Sequence, residues 1–183
     1  MFAVLGYKAT WTTHPYQTER TKLSRAVELV QAIVDTITEQ TNIEGQFAFD
    51  VVDVRRSYTH AYHLEDLTNY PTVYVMVKSK EASQADRSKR YTQNFVVSIE
   101  IVGALEQTGE INSDLSTDEI AEKWITFADQ IERCMRQHGD VLANCTMLNY
   151  TCDPLYNAEQ LETMNAFQAL QTYNYTITER NTL

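Results

Sequence analysis

Glycine and proline are scarce, five and three among 183 residues, which excludes collagen-like, linker-like and low-complexity chains. Basic charge is short too. Fifteen Lys and Arg stand against 25 Asp and Glu, a net charge of −10, which argues against a general phosphate-binding surface while leaving a local basic patch open. No apolar run approaches the about 20 residues that a membrane-spanning helix needs. Residues 1–10 lack the charged start, apolar run and small-residue cleavage site of a signal peptide. The three cysteines, Cys134, Cys145 and Cys152, form no Cys-x-x-Cys pair; their odd number, without a secretion signal, predicts reduced thiols in a cytosolic setting. The glycosylation-like triplets beginning at Asn144, Asn149 and Asn174 then arise by chance. There is no Gly-rich phosphate loop and no Gly-x-Ser-x-Gly elbow.

What is present is enough for a core. With 43% apolar residues and 11 tyrosines, a chain this long buries roughly 70% of its unfolded surface as one domain, needing neither metal nor disulfide. The domain is expected to span 1–183, with 1–20 (Trp11, His14, Pro15, Tyr16) as an N-terminal arm that packs by its aromatics or grips a neighbour.

Two alternating runs organise the rest, 72–79 (TVYVMVKS) and 94–103 (NFVVSIEIVG). Val73, Val75 and Val77 share one strand face, opposite Tyr74 and Met76; Phe95, Val97, Ile99 and Ile101 share a face in the second run. These runs read as the central hairpin of a sheet, linked by a charged extension over 80–93. That extension places Lys80, Arg87, Lys89 and Arg90 against Glu81 and Asp86.

Around the hairpin, Leu23, Ala26, Val27, Val30, Ile33, Val34 and Ile37 form a helical stripe over 21–41, stopped by Asn42 and Gly45. Alternation over 47–55 predicts a first strand. The polar and aromatic connection 56–70 exceeds a hairpin loop and reads as a functional or interface loop. Ile120, Trp124, Phe127, Ile131 and Met135 mark a second helix, capped near Ser116 or Thr117 and ended by Gly139. Strands follow over 145–152 and 167–178, with a short helix expected over 158–164. The predicted fold is therefore α+β: a mainly antiparallel sheet packed on one face by two helices.

Candidate chemistry is thin. His60 and His63, followed by Glu65 and Asp66, have the spacing of a metal pair but lie in a loop without a second cluster. Cys145 and Cys152 stand an odd number of positions apart on one strand, so they should face opposite sides and act as structural thiols. Asp118, Glu119, Glu122, Asp129 and Glu132 fit the solvated side of the second helix better than acid-base catalysis. No enzyme, cofactor or metal is expected. The basic extension is either a solvated loop or a contact arm for an acidic protein surface or a few phosphates; the acidic balance of the chain favours protein.

The order of elements resembles the tail terminator (tail-completion) proteins of tailed bacteriophages, small α+β proteins with an N-terminal helix like 23–37. A strand and a hairpin with a protruding loop follow, like 47–103, then a second helix like 120–138 and closing strands like 167–178. The resemblance runs from about residue 21 onward and rests on no short motif; 1–20 and 56–70 have no counterpart. It implies a virion protein, assembled in the host cytoplasm, that forms a homo-oligomeric, hexameric ring on the head-proximal end of the tail tube. There it would halt tube growth and join the tail-tube protein to the head connector. DNA would pass through an acidic lumen without specific binding, and no membrane would be involved. Charge and loop length, rather than the resemblance, single out the expected contact residues: Lys80, Arg87, Lys89 and Arg90 on the extension and Arg56, Tyr58 and Tyr62 on the long loop. Two alternatives remain open: a head-completion or neck adaptor forming a ring of different order, and a small cytosolic hydrolase or ligand-binding domain with a deep pocket.

Overall fold

The computed structural model describes residues 24–59, 66–84, 90–105, 117–152, 156–159, 161 and 165–180. Its first helix, α1 (Arg25–Thr41), starts where the stripe begins to need burial. Ser24, in extended backbone, accepts the Val27 N–H on its hydroxyl at 3.4 Å, and Glu28 sits in the first turn facing the positive end of the helix dipole. Leu29, Ile33 and Ile37 are fully buried, as their spacing predicts. The helix stops at Asn42, and Gly45 turns the chain with φ +73°, a conformation that costs a side-chain-bearing residue energy.

Five strands form one sheet in the order β1-β2-β3-β5-β4. They are β1 (Asp53–Arg56), β2 (Thr72–Gln84), β3 (Arg90–Ala104), β4 (Cys145–Thr151) and β5 (Ala166–Arg180), with α2 (Thr117–His138) between β3 and β4. β3 pairs antiparallel with β2 and β5, and β4 with β5; β1 alone is parallel to its neighbour, β2. The expected α+β architecture is thus observed, in the expected order of elements.

Both helices pack against one sheet face. Val73 and Val75 of β2, Phe95, Val97, Ile99 and Ile101 of β3, and Phe167, Tyr173 and Tyr175 of β5 join Trp124, Phe127 and Ile131 of α2 and the α1 stripe in a single core. The indole of Trp124 stacks on Phe167 at 5.3 Å between centroids and meets Phe49 at 4.7 Å. The outer face is also closed at its centre. There Glu100, 2% exposed, accepts a hydrogen bond from Gln168 Nε2 at 2.5 Å, and Gln168 Oε1 accepts one from Asn157 Nδ2.

Several expectations are corrected. Residues 47–52 are not a strand: β1 is only four residues long. Phe47 and Phe49 are buried on alternate positions as predicted, but the Ala48 N–H goes to Gln130 Oε1 on α2 at 2.8 Å, and Gln130 Nε2 donates to the Gln46 carbonyl. A side chain of the helix takes the hydrogen bonds that a neighbouring strand would need.

The charged extension is mostly sheet, not loop: β2 runs on to Gln84, and β3 starts at Arg90. A bulge between Val77 and Ser79 lets the ladder continue. The long connection after Arg56 has a topological cause, because parallel β1 and β2 cannot be joined by a tight turn.

A second bulge, between Met147 and Asn149, changes the parity of β4. Cys145 pairs with Ile177 on the core face, and Tyr150, across the bulge, again stacks on core Tyr173. Cys152 therefore falls on the same side as Cys145 and interacts with Glu132 of α2, against the expectation of opposite faces. Of the short helix expected over 158–164, Ala158, Glu159 and Leu161 are helical.

Candidate assembly surfaces

Of the seven contact residues expected from sequence, Arg56, Tyr58 and Lys80 are described with their side chains. Arg90 is described by its backbone, which pairs with Arg180 at the end of β3; Arg87, Lys89 and Tyr62 lie outside the described residues, as do His60, His63 and Glu65. The structure does not bring all of them together. Arg56 and Tyr58 belong to the end of β1, whereas Lys80 is on the extension of the hairpin.

Lys80 is exposed on β2, its ammonium 5.6 Å from the centroid of the Phe95 ring, so a cation rides on the last large core residue of β3. β3 has 15 residues, about 50 Å of strand, against about 33 Å for the 22-residue α2 and about 25 Å for the 17-residue α1. Beyond Val75, where its pairing with β1 ends, β2 carries exposed Lys78, Ser79, Lys80 and Glu81 and forms an edge arm held by β3.

The surface at the end of β1 is built differently. Asp53 takes Arg55 as its ion-pair partner, which raises the Arg55 pKa, and this leaves Arg56 without a carboxylate among the described residues. The Arg56 guanidinium lies 5.8 Å from the Tyr58 ring and donates to Gln31 Oε1 of α1 at 3.4 Å. Tyr58 is 76% exposed. Beneath the pair is an apolar groove of about 170 Å³ between α1 and β2, lined by Ala26, Val27, Val30 and Val77. Nearby, Arg25 bridges Glu28 and Glu179, which raises its pKa and ties the start of α1 to β5.

At the other end of α1 the segment leading into β1 carries two exposed aliphatic side chains, Ile43 (49%) and Val51 (56%), beside exposed Glu44 and Asp50. Ile43, Glu44 and Asp50 rim an open depression of about 330 Å³ floored by Phe47 and Phe49. Neither carboxylate has a cationic partner among the described residues; Lys123, near by, lies 4.4 Å over the Phe49 ring. Sequence reasoning missed this patch by assigning Val51 to a strand. The available signal was Ile43, an aliphatic residue inside the turn sequence Asn42 to Gly45, where no strand or helix period claims it.

A further open space of about 570 Å³ lies between the helix C-termini and mixes Glu39 and Asp140 with Arg136 and His138. Asp140 Oδ1 is already engaged by the Met147 N–H at 3.1 Å. No three His, Cys, Asp or Glu side chains among the described residues are grouped to hold a metal ion. All three cysteines are free. Burial pushes Cys134 up to about 11; burial, with the Asp140 charge, pushes Cys145 up to about 11; burial, with Glu132, pushes Cys152 up to about 12. At neutral pH each is a thiol, the poorly nucleophilic form. Among the described residues no helix is long and apolar enough to cross a membrane. The chain matches no protein-family model and has no significant match among curated proteins.

Proposed function

We propose that this chain is a non-enzymatic virion protein of the tail-terminator kind. In this reading it assembles with copies of itself into a ring, six-fold as the resemblance implies. The ring sits on the head-proximal end of a tail tube, stops tube growth and presents a surface to the head connector, while DNA passes through without specific contact. The observation that carries the reading is the long hairpin: among the described residues β1 pairs with β2 only as far as Val75, so that β2 runs on to Gln84 as an edge arm held by β3 and bearing exposed Lys78 and Lys80. An arm held by backbone pairing is stiff enough to present charge to a neighbouring protein at a fixed distance. Patches of unpaired charge and exposed apolar side chains at two further places suit a subunit that meets several partners.

Native mass spectrometry and electron microscopy of the purified chain, alone and with polymerising tail-tube protein, test this. A closed six-fold ring that arrests tube growth is expected. A ring of another order that binds the portal side and leaves tubes uncapped would favour the neck adaptor, and a monomer that ignores tubes would reject both.

A further inference from the structure

The two patches at opposite ends of α1 carry opposite charge on their exposed rims, each beside apolar surface. One is a groove of about 170 Å³ walled by Val27, Val30 and Val77, with Arg56 and Tyr58 on its rim and exposed Lys78 beside Val77. The other is the rim of the depression, with exposed Ile43, Glu44 and Asp50 and, next along the chain, exposed Val51. Liquid water takes about 30 Å³ per molecule, so the groove has room for a branched aliphatic side chain. Scattered exposed aliphatics are ordinary on protein surfaces. Here they coincide with carboxylates that have no cationic partner among the described residues at one end, and an apolar groove coincides with a guanidinium that has no carboxylate partner among them at the other.

Their placement fixes the kind of contact. Val30 lies in the N-terminal half of α1 and Thr41 closes it, 11 positions or about 17 Å along the axis. Arg56 ends β1, while Val51 precedes its start at Asp53. The two patches therefore sit at opposite ends of the same helix-strand unit. A two-fold dimer through either exposed rim would oppose like charges, Glu44 and Asp50 at one and Arg56 and Lys78 at the other, the Lys123 ammonium being held over the Phe49 ring.

We infer that these ends are the two halves of a head-to-tail contact between copies of this chain: Ile43 and Val51 of one copy seat in the groove under Tyr58 of the next, with Glu44 and Asp50 facing Arg56 and Lys78. The occupant is a second copy because the opposite charge and the exposed aliphatic side chains are both on this chain. The inference rests on the ring-forming reading above and gives that ring its subunit contact.

The test uses the full chain in a Cys152→Ser background, the other two cysteines being buried. Ile43→Cys and Tyr58→Cys are combined in one chain and treated with a short bismaleimide. A ladder of covalent oligomers is expected, absent from either single variant. Arg56→Glu should weaken self-association about 10- to 100-fold in sedimentation, and adding Glu44→Arg with Asp50→Arg should restore most of it. Positions 43, 44, 50, 56 and 58 are all exposed, so unchanged thermal melts are expected to show that the variants fold. Closed rings that persist without the ladder, or that are indifferent to Arg56→Glu, would overturn this contact and leave the ring reading standing. A ladder with charge rescue that ends in open filaments would uphold the contact and remove the ring reading. A monomer at every concentration reached would overturn the contact.

Discussion

Gly103 and Trp124 occupy space that only a glycine and an indole can share. A Cβ built on Gly103 would lie 2.7 Å from Trp124 Cζ2 and 2.8 Å from Cζ3, and the ring has no exposed surface through which to retreat. The strand thus leaves a side-chain-free notch opposite the largest residue of α2.

Gly103→Ala should destabilise the chain by about 1–3 kcal/mol through overpacking. Trp124→Ala should cost about 3–5 kcal/mol through the cavity it leaves. Because the two residues touch, their effects should not add: Gly103→Ala in a Trp124→Leu background should cost less than alone. Urea unfolding of the four chains measures this, and strict additivity would show that the notch is not what Trp124 fills.

Tyr173 and Gln171 make a buried polar chain. The Tyr173 hydroxyl donates to Gln171 Oε1 at 2.7 Å, and Gln171 Nε2 donates to the Ala128 carbonyl of α2 at 2.8 Å. Gln171→Leu strands the hydroxyl in the core and should cost about 1–3 kcal/mol. Adding Tyr173→Phe should recover part of that loss, since the orphaned group is then gone. A double variant less stable than Gln171→Leu alone would contradict this account.

Stability should fall in alkali. Cys134 and Cys145 are held near 11, and Cys152 near 12, against 9.0 for the free thiol, so above pH 9 the unfolded chain gives up protons that the folded chain keeps. Burial also raises Tyr173 and Tyr175 above their ordinary 10.0. The stabilisation is complete below about pH 9 and is lost as pH rises toward 11–12, by about 1.4 kcal/mol per pH unit for each fully buried group that ionises only on unfolding. Denaturant midpoints should be level from pH 7 to 8.5 and drop beyond. A midpoint that rises across that window would reverse the sign argued here.

Reversing Lys80, Arg87, Lys89 and Arg90 to Glu should leave the melting temperature within a few degrees of the parent. Lys80 is exposed, and surface substitutions away from core and caps seldom exceed about 0.5 kcal/mol. Capping of tail tubes or joining to the connector should be lost. Unimpaired capping by the reversed chain would show that the arm is a solvated extension and no contact.

Much of the fold is legible in sequence where one period runs unbroken. The α1 stripe through Leu29, Ile33 and Ile37 and the β3 face through Phe95, Val97, Ile99 and Ile101 needed only spacing to be seen, because each faces a single core. Legibility fails where a bulge inserts one residue. Beyond Leu148, at 58% exposure, every later side chain of β4 changes face, and Cys152 joins the thiols near α2. It fails again at Ala48, whose alternation with Phe47 and Phe49 looks like a strand although Gln130 of α2, distant in sequence, holds its N–H.

The candidate surfaces divide in the same way. That Arg56, Tyr58 and Lys80 are exposed and apt for contact follows from their chemistry and from the polar segments around them. That Arg56 lacks a carboxylate partner while Arg55 has Asp53, and that Ile43 and Val51 stand at the opposite end of α1 from the groove, emerges only once the chain is folded. Local periodicity and composition set the elements and their buried faces, since burial acts residue by residue along the chain. Which charges are left unpaired and which patches end up opposed depend on distances between remote segments, and the tertiary structure alone decides them.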